Sequence, residues 1–203
     1  MFERDIIRQL SAWKMDVNRK PLVIHGARQV GKTWALKYFG KVYFEDVAYF
    51  SLDKDESGLC DIFKTTKDPR RIIQQLSFLH GKKINPQTTL LILDEIQECN
   101  EALNALKYFC EEAPEYAVAC AGSLLGIYLN HIGNSFPVGK VNHLSMYPLT
   151  FTEFLKTKDP NMYEYLCFIK EIAPLPQIFF DKLRESFVAV SYTHLRAHET
   201  PEH

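Results

Sequence analysis

A chain of 203 residues with 46% hydrophobic side chains can bury one good core and a small appendage, so one main domain is expected. Its 24 basic residues against 25 acidic ones leave a formal net charge of -1, which gives no support to nucleic acid or anionic lipid as a partner. No stretch approaches the roughly 20 apolar residues of a membrane span, and the cysteines (Cys60, Cys99, Cys110, Cys120, Cys167) are odd in number and lack a C-x-x-C pair, so reduced, packed thiols in a cytoplasmic protein are expected.

In "FERDIIRQLSAWKM", Phe2, Ile6, Leu10 and Trp13 fall three or four apart and predict a short amphipathic helix. "PLVIH" is a buried strand, a glycine loop follows, and "TWALKYFG" has helical spacing with Gly40 as its stop. "VAYFSLD" reads as a second strand, and Ile72, Ile73, Leu76 and Leu79 mark a further helix. "TTLLILDE" is the third and most apolar strand. "NEALNALKYFCEE" is a helix with Asn100 as N-cap and Leu103, Leu106 and Phe109 or Cys110 on one face. "YAVACAGS" and "VNHLSMYPL" supply a fourth and a fifth strand. Strands that alternate with helices and are continuously apolar predict an α/β fold, a parallel sheet with helices on both faces. Beyond residue 190, "SYTHLRAHETPEH" abandons the preceding helical period. His194, His198 and His203 there lack a supporting ligand framework for a metal.

Residues 26–33, Gly26-Ala27-Arg28-Gln29-Val30-Gly31-Lys32-Thr33, satisfy G-x-x-x-x-G-K-[ST] between a strand and a helix. The glycines would let the backbone wrap phosphates, with main-chain N–H groups at the helix N-terminus facing the anion. Lys32 would place a point charge on the β- and γ-phosphates, and Thr33 a hydroxyl on Mg²⁺. Trp34, the next residue, completes the predicted cofactor-binding set. Downstream, "LLILDEIQE" puts Asp94 and Glu95 at the C-terminal end of an apolar strand, where open α/β sheets hold ligands. Asp94 would hold Mg²⁺ through its water shell, and Glu95 would act as general base on the attacking water. A lone Asp-Glu at a strand end is also an ordinary solvated cap, but its register with the upstream loop makes a P-loop nucleoside triphosphatase of the AAA/RecA-like type the expected fold. Ser123, at the end of "AVACAGS", is either a polar sensor facing the γ-phosphate, hence a third catalytic candidate beside Glu95 and Lys32, or the N-cap of "SLLGIYL". Arg28 and Lys140 are either charge stabilisers or solvated cations.

"RKPLVIHGARQVGKT", "LLILDEIQE", "ALKYFCEEAPEYAVACAGSLLG", "FPVGKV" and "MYPLTFTEFL" together resemble, over residues 1–190, the AAA-superfamily ATPase domain of a large group of bacterial and archaeal proteins. In that group the domain precedes a C-terminal domain related to the restriction-endonuclease fold. The resemblance implies ATP and Mg²⁺ as cofactors, Lys32 and Thr33 as phosphate and magnesium residues, Asp94 and Glu95 as the Walker B pair, and Lys140 where relatives often carry arginine. It also implies an ATPase domain over residues 1–160 and the start of a helical C-terminal region over 161–190. Residues 191–203 resemble translated sequencing-adapter sequence and are expected to be foreign to the domain.

Two functions follow as expectations. One is Mg²⁺-dependent ATP hydrolysis that drives a conformational cycle of an absent C-terminal domain, a second copy of the chain or a partner protein. The other is a nucleotide-gated switch that binds ATP with negligible hydrolysis. Glu95 favours the first, because a switch needs no base. Within "FIKEIAPLPQIFFDKL", Ile178, Phe179 and Leu183 are expected to present an apolar face to the missing partner.

Overall fold

The computed structural model describes residues 4–53, 58–122, 139–169 and 176–199, the last nine as backbone only. They form two compact units, one of residues 6–146 and one that joins the N-terminal residues to residues 147 onward.

The larger unit contains α1 (Ile6–Met15), β1 (Leu22–His25), α2 (Lys32–Tyr43), β2 (Asp46–Ser51), α3 (Leu59–Thr65), α4 (Pro69–His80), β3 (Thr89–Asp94), a 3-10 turn (Ile96–Glu98), α5 (Asn100–Glu112), β4 (Ala117–Gly122) and β5 (Asn142–Ser145). The strands make one parallel sheet in the order β2-β3-β4-β1-β5. Every residue of β3 and β4 is buried, as their unbroken apolar runs require, whereas the edge strands β2 and β5 carry half-buried polar residues. Because successive strand residues point to opposite faces, Leu91, Leu93, Val118 and Cys120 pack under α3, α4 and α5. Leu90, Ile92, Ala117 and Ala119 pack under α1 and α2 on the other face.

The stripe on α1 is buried through Ile6, Leu10 and Trp13, and the Trp13 indole donates to the Lys20 carbonyl. Phe2 lies outside the described residues. Gly40 does not stop α2. It sits within the helix, where a Cβ would fall 2.6 Å from Val47 Cγ2, so its small size lets the helix lie close on β2. Asn100 is the first residue of α5 rather than its cap; Cys99, in extended conformation, holds the cap position. Cys99 is also bonded to Cys60 at the start of α3, with Cα atoms 5.9 Å apart. The expectation of reduced thiols throughout therefore fails for this pair, whose members are brought together only by the fold.

In the smaller unit, α6 (Phe151–Lys158), α7 (Pro160–Phe168) and α8 (Gln177–Glu199) surround a core of Phe154, Leu155, Met162 and Val190. Thr150 and Glu153 form a reciprocal capping box at the start of α6. Burial works against ionisation of Glu153, but the N–H groups of Thr150 and Asp5 and the guanidinium of Arg4 outweigh it and hold the carboxyl below its ordinary range. Phe179 and Leu183 pack against this core, contrary to the expected exposed face, and only Ile178 of the three stands in solvent. The backbone of α8 runs on through residue 199, past the point where the sequence loses its apolar period. Residues 191–199 contain neither glycine nor proline, so nothing local breaks the helix before Pro201.

Candidate functional site

β1 ends at His25 and the chain turns at once through the glycine loop into α2. The loop is held by its neighbour β5. The Met146 N–H donates to the His25 carbonyl over 2.8 Å, and the His25 Nε2 and Ser145 Oγ lie 2.8 Å apart. This closeness explains Gly26, because a Cβ there would lie 2.1 Å from the Met146 carbonyl oxygen. Gly26 thus answers a demand of the sheet as well as of any ligand. Gln29 and Gly31 take left-handed backbone, φ 61° and 94°, which curls the loop before the helix.

The N-terminus of α2 is open to an anion. Gly31 at the cap position offers no side-chain acceptor, and the first turn contains no acidic residue. Lys32 is buried, 6% exposed, and its ammonium folds back onto the loop, donating to the carbonyls of Gly26 (3.0 Å) and Ala27 (2.7 Å). Burial lowers its pKa, the charges of Glu95 and Asp94 act to raise it, and Arg28 lowers it further. The glycine loop leaves β1 and the acid pair leaves β3 at the same end of the parallel sheet, on either side of β4, so their charges act on one another. Thr33 is half-buried and Trp34 exposed on the same first turn, while Ala27, Arg28 and Gln29 are exposed and Val30 is buried against the core.

Asp94 is 4% exposed at the end of β3. Its Oδ1 accepts the Glu95 N–H at 3.1 Å and its Oδ2 accepts the Tyr49 hydroxyl at 2.9 Å. Glu95 has left-handed backbone, φ 50°, which turns the chain sharply out of the strand. Its carboxylate accepts from the Gln97 amide at 2.5 Å, and buried Gln97 also donates to Glu98. The Thr33 hydroxyl and Asp94 carboxylate are hard oxygen donors, the chemistry that suits Mg²⁺.

Lys140 stands elsewhere. It precedes β5, which runs parallel to β1, so it lies at the opposite end of the sheet from the glycine loop, paired with Glu111 at 2.9 Å. Ser123 lies outside the described residues. Sequence reading passed over Tyr49, Gln97, and the His25–Ser145 pair. None of them left a local signal; Tyr49 reaches Asp94 because Ser51, two residues further along β2, pairs with Asp94 in the sheet. Burial, then the positive charge of Lys32, pushes the His25 pKa down.

Residues 18–155 match the family model of an AAA domain. No curated protein matches the sequence. Among solved structures, the Walker-type ATPase paby2304 of Pyrococcus abyssi is similar over 94% of this chain and 63% of its own, with TM-score 0.54 and 17% identity. DnaA from Aquifex aeolicus, solved with AMPPCP, is similar over 94% and 59%, with TM-score 0.45 and 16% identity. The chain spans less than two thirds of either protein, and at 17% identity the likeness to the Pyrococcus abyssi ATPase concerns the fold alone, an α/β parallel sheet.

Proposed function

Because the chain belongs to the AAA-domain family of P-loop ATPases, we propose that it binds ATP with Mg²⁺ and hydrolyses it. The observation that supports this reading is the placement of Lys32, just after β1, and of Asp94 and Glu95, at the end of β3, at the same end of the parallel sheet on either side of β4, where a phosphate-binding cation and two acids could divide the work. In this reading the backbone of residues 26–33 and the first turn of α2 cradle the triphosphate. Lys32 exchanges its two loop carbonyls for the β- and γ-phosphates. Thr33 and Asp94 would hold Mg²⁺, which when bound would neutralise charge on the phosphates. Glu95 takes the proton from water, and Gln97 fixes the carboxylate for that step. Ser123 remains the proposed sensor. A cytoplasmic location goes with this assignment, and no helix among the described residues is long and apolar enough to cross a membrane.

A second reading, a nucleotide-gated switch, draws on the folded-back Lys32. Its release from Gly26 and Ala27 on binding would change the loop without any bond being broken in ATP. In either case the response would pass to the C-terminal region, a second copy or a partner protein. Three variants separate these readings. Lys32→Ala should abolish binding of fluorescent ATP. Glu95→Gln should keep Mg²⁺-dependent binding and lose turnover, and Asp94→Asn should weaken the Mg²⁺ dependence. Turnover by Glu95→Gln at the parental rate would remove Glu95 as base, and undetectable turnover by the parent with intact binding would favour the switch.

A further inference from the structure

Cys60, in the first turn of α3, and Cys99, at the cap position of α5, bring their sulfurs together with Cα atoms 5.9 Å apart. Both residues are buried, and Cys99 directly follows the 3-10 turn that begins beside Glu95. A third side chain joins them. Glu101, in the first turn of α5, sends its Oε2 to 3.9 Å from Cys99 Sγ, and the ligand atoms of all three lie within 4.8 Å of one another. No other three histidine, cysteine or acidic side chains converge in this way among the described residues. A disulfide sulfur carries no proton, so Glu101 has nothing to accept from the oxidised pair, and no cationic side chain among the described residues pairs with it. The Cys99 side chain also makes no cap hydrogen bond, so the open N–H groups in the first turn of α5 can donate to a thiolate held at the cap.

We propose that in the reduced chain Cys60, Cys99 and Glu101 form a binding site for Zn²⁺, separate from the proposed Mg²⁺ ligands Thr33 and Asp94. A reducing compartment keeps such pairs as thiols. The two thiols give up their protons as the metal binds, so two thiolates and a carboxylate meet its charge. The fourth tetrahedral position is left to water on the side where Glu101 is exposed. Two buried sulfurs and one oxygen suit a borderline-soft cation, whereas Mg²⁺ takes oxygen ligands. The disulfide and the metal complex exclude one another, because a sulfur bonded to sulfur has no charge with which to ligate. Either one joins α3 to α5, so passing from one to the other asks only that the two sulfurs part.

For the test, the full chain is reduced with a phosphine, which becomes its oxide while water supplies the two thiol protons, and is kept free of air. Thiols counted under denaturing conditions should rise from three to five. Co²⁺ then serves as the spectroscopic probe and Zn²⁺ as its competitor. The reduced chain should give sulfur-to-cobalt charge-transfer absorption and the visible bands of four-coordinate cobalt, both erased by Zn²⁺, and the oxidised chain should give neither. Co²⁺ bound by Thr33 and Asp94 would show no sulfur band, since those ligands are oxygens. Cys60→Ser with Cys99→Ser should lose the sulfur band although Cys110, Cys120 and Cys167 remain. Glu101→Gln changes an exposed side chain, so the fold stays in place; it should keep the sulfur band and weaken Zn²⁺ at least about 10-fold, the loss that removal of even an outer partner brings. A pair that resists reduction in the native chain, a reduced chain without the sulfur band, a band that survives the double serine variant, or full Zn²⁺ affinity in Glu101→Gln would each overturn the site.

Discussion

Tyr49 donates a 2.9 Å hydrogen bond to Asp94 Oδ2 from the neighbouring strand, while Glu95 N–H occupies Oδ1, so each oxygen of this buried carboxylate has a donor. Burial, and then the bond to Asp94, push the Tyr49 phenol up to about 12, which keeps it protonated and donating at neutral pH. The Lys37 ammonium sits 3.4 Å from the centroid of the same ring and fixes it from the side of α2. Tyr49→Phe keeps the ring and removes the donor. The expected cost is about 1.5–3 kcal/mol, the range for a hydrogen bond to a charged group. Titrating Mg²⁺ into the ATP complex of the variant should show a weaker cation requirement curve, with metal-free ATP affinity retained. Unchanged Mg²⁺ affinity would mean that Asp94 needs no help from Tyr49.

Gly26→Ala should fail for a reason internal to the protein. Its methyl group would meet the Met146 carbonyl at 2.1 Å, and that carbonyl belongs to backbone anchored to His25 by the Met146 N–H. A destabilisation of about 3 kcal/mol, the upper part of the usual overpacking range, should appear in urea unfolding without nucleotide. Gly81→Ala is the control. It also has positive φ, 74°, but beyond its chain neighbours no atom of the described residues lies within 4 Å of the added Cβ, so only the backbone strain remains. Equal losses in the two variants would remove the steric account of Gly26.

The parallel α/β sheet and the glycine loop were legible because both rest on local signals: unbroken apolar runs for β3 and β4, and fixed spacing from Gly26 to Thr33. What escaped depends on which elements lie side by side. Gly40 has the local look of a helix stop, yet its environment is Val47 and Leu90 on the strands beneath. Tyr49 reaches Asp94, and Cys60 reaches Cys99, only through the packing of elements distant in sequence. Lys140 looked mechanistic beside a glycine, but strand direction carries it to the far end of the sheet, where Glu111 neutralises it.

Acid should unfold the smaller unit through Glu153. Its carboxyl titrates below the ordinary 4.5, so the native state favours the charged form and the unfolded chain binds the proton more readily. The contribution is therefore complete above about pH 4.5 and declines as pH falls through the folded value. Glu153→Gln should lose about 2 kcal/mol near neutrality, since the amide cannot replace the charge that Arg4 and two backbone N–H groups address. Thermal melts across the acid range should show the parent approaching the variant as pH drops. A constant gap between them would exclude Glu153 as the titrating group.

The helix α8 should make the chain bind hydrophobic dye. Phe179, Leu183 and Val190 face the small core, which leaves Ile178, Phe180, Phe187 and Val188 on other sides of the helix, each more than half exposed. Scattered apolar residues are normal on a surface, but these lie along one helix, and at helical spacing Phe180 and Val188 fall on one side of it, away from the core-facing residues. Phe180→Lys with Val188→Lys should reduce dye fluorescence and self-association and leave the melting temperature within a few degrees, because neither side chain belongs to the buried core, whereas Phe187 meets the Phe151 ring edge-on at 5.8 Å. If the double variant melts far lower, the two side chains are packed in solution and the exposed stripe does not exist. If dye binding persists unchanged, the apolar surface responsible lies elsewhere, with Phe78 on α4, 86% exposed, as the next residue to replace.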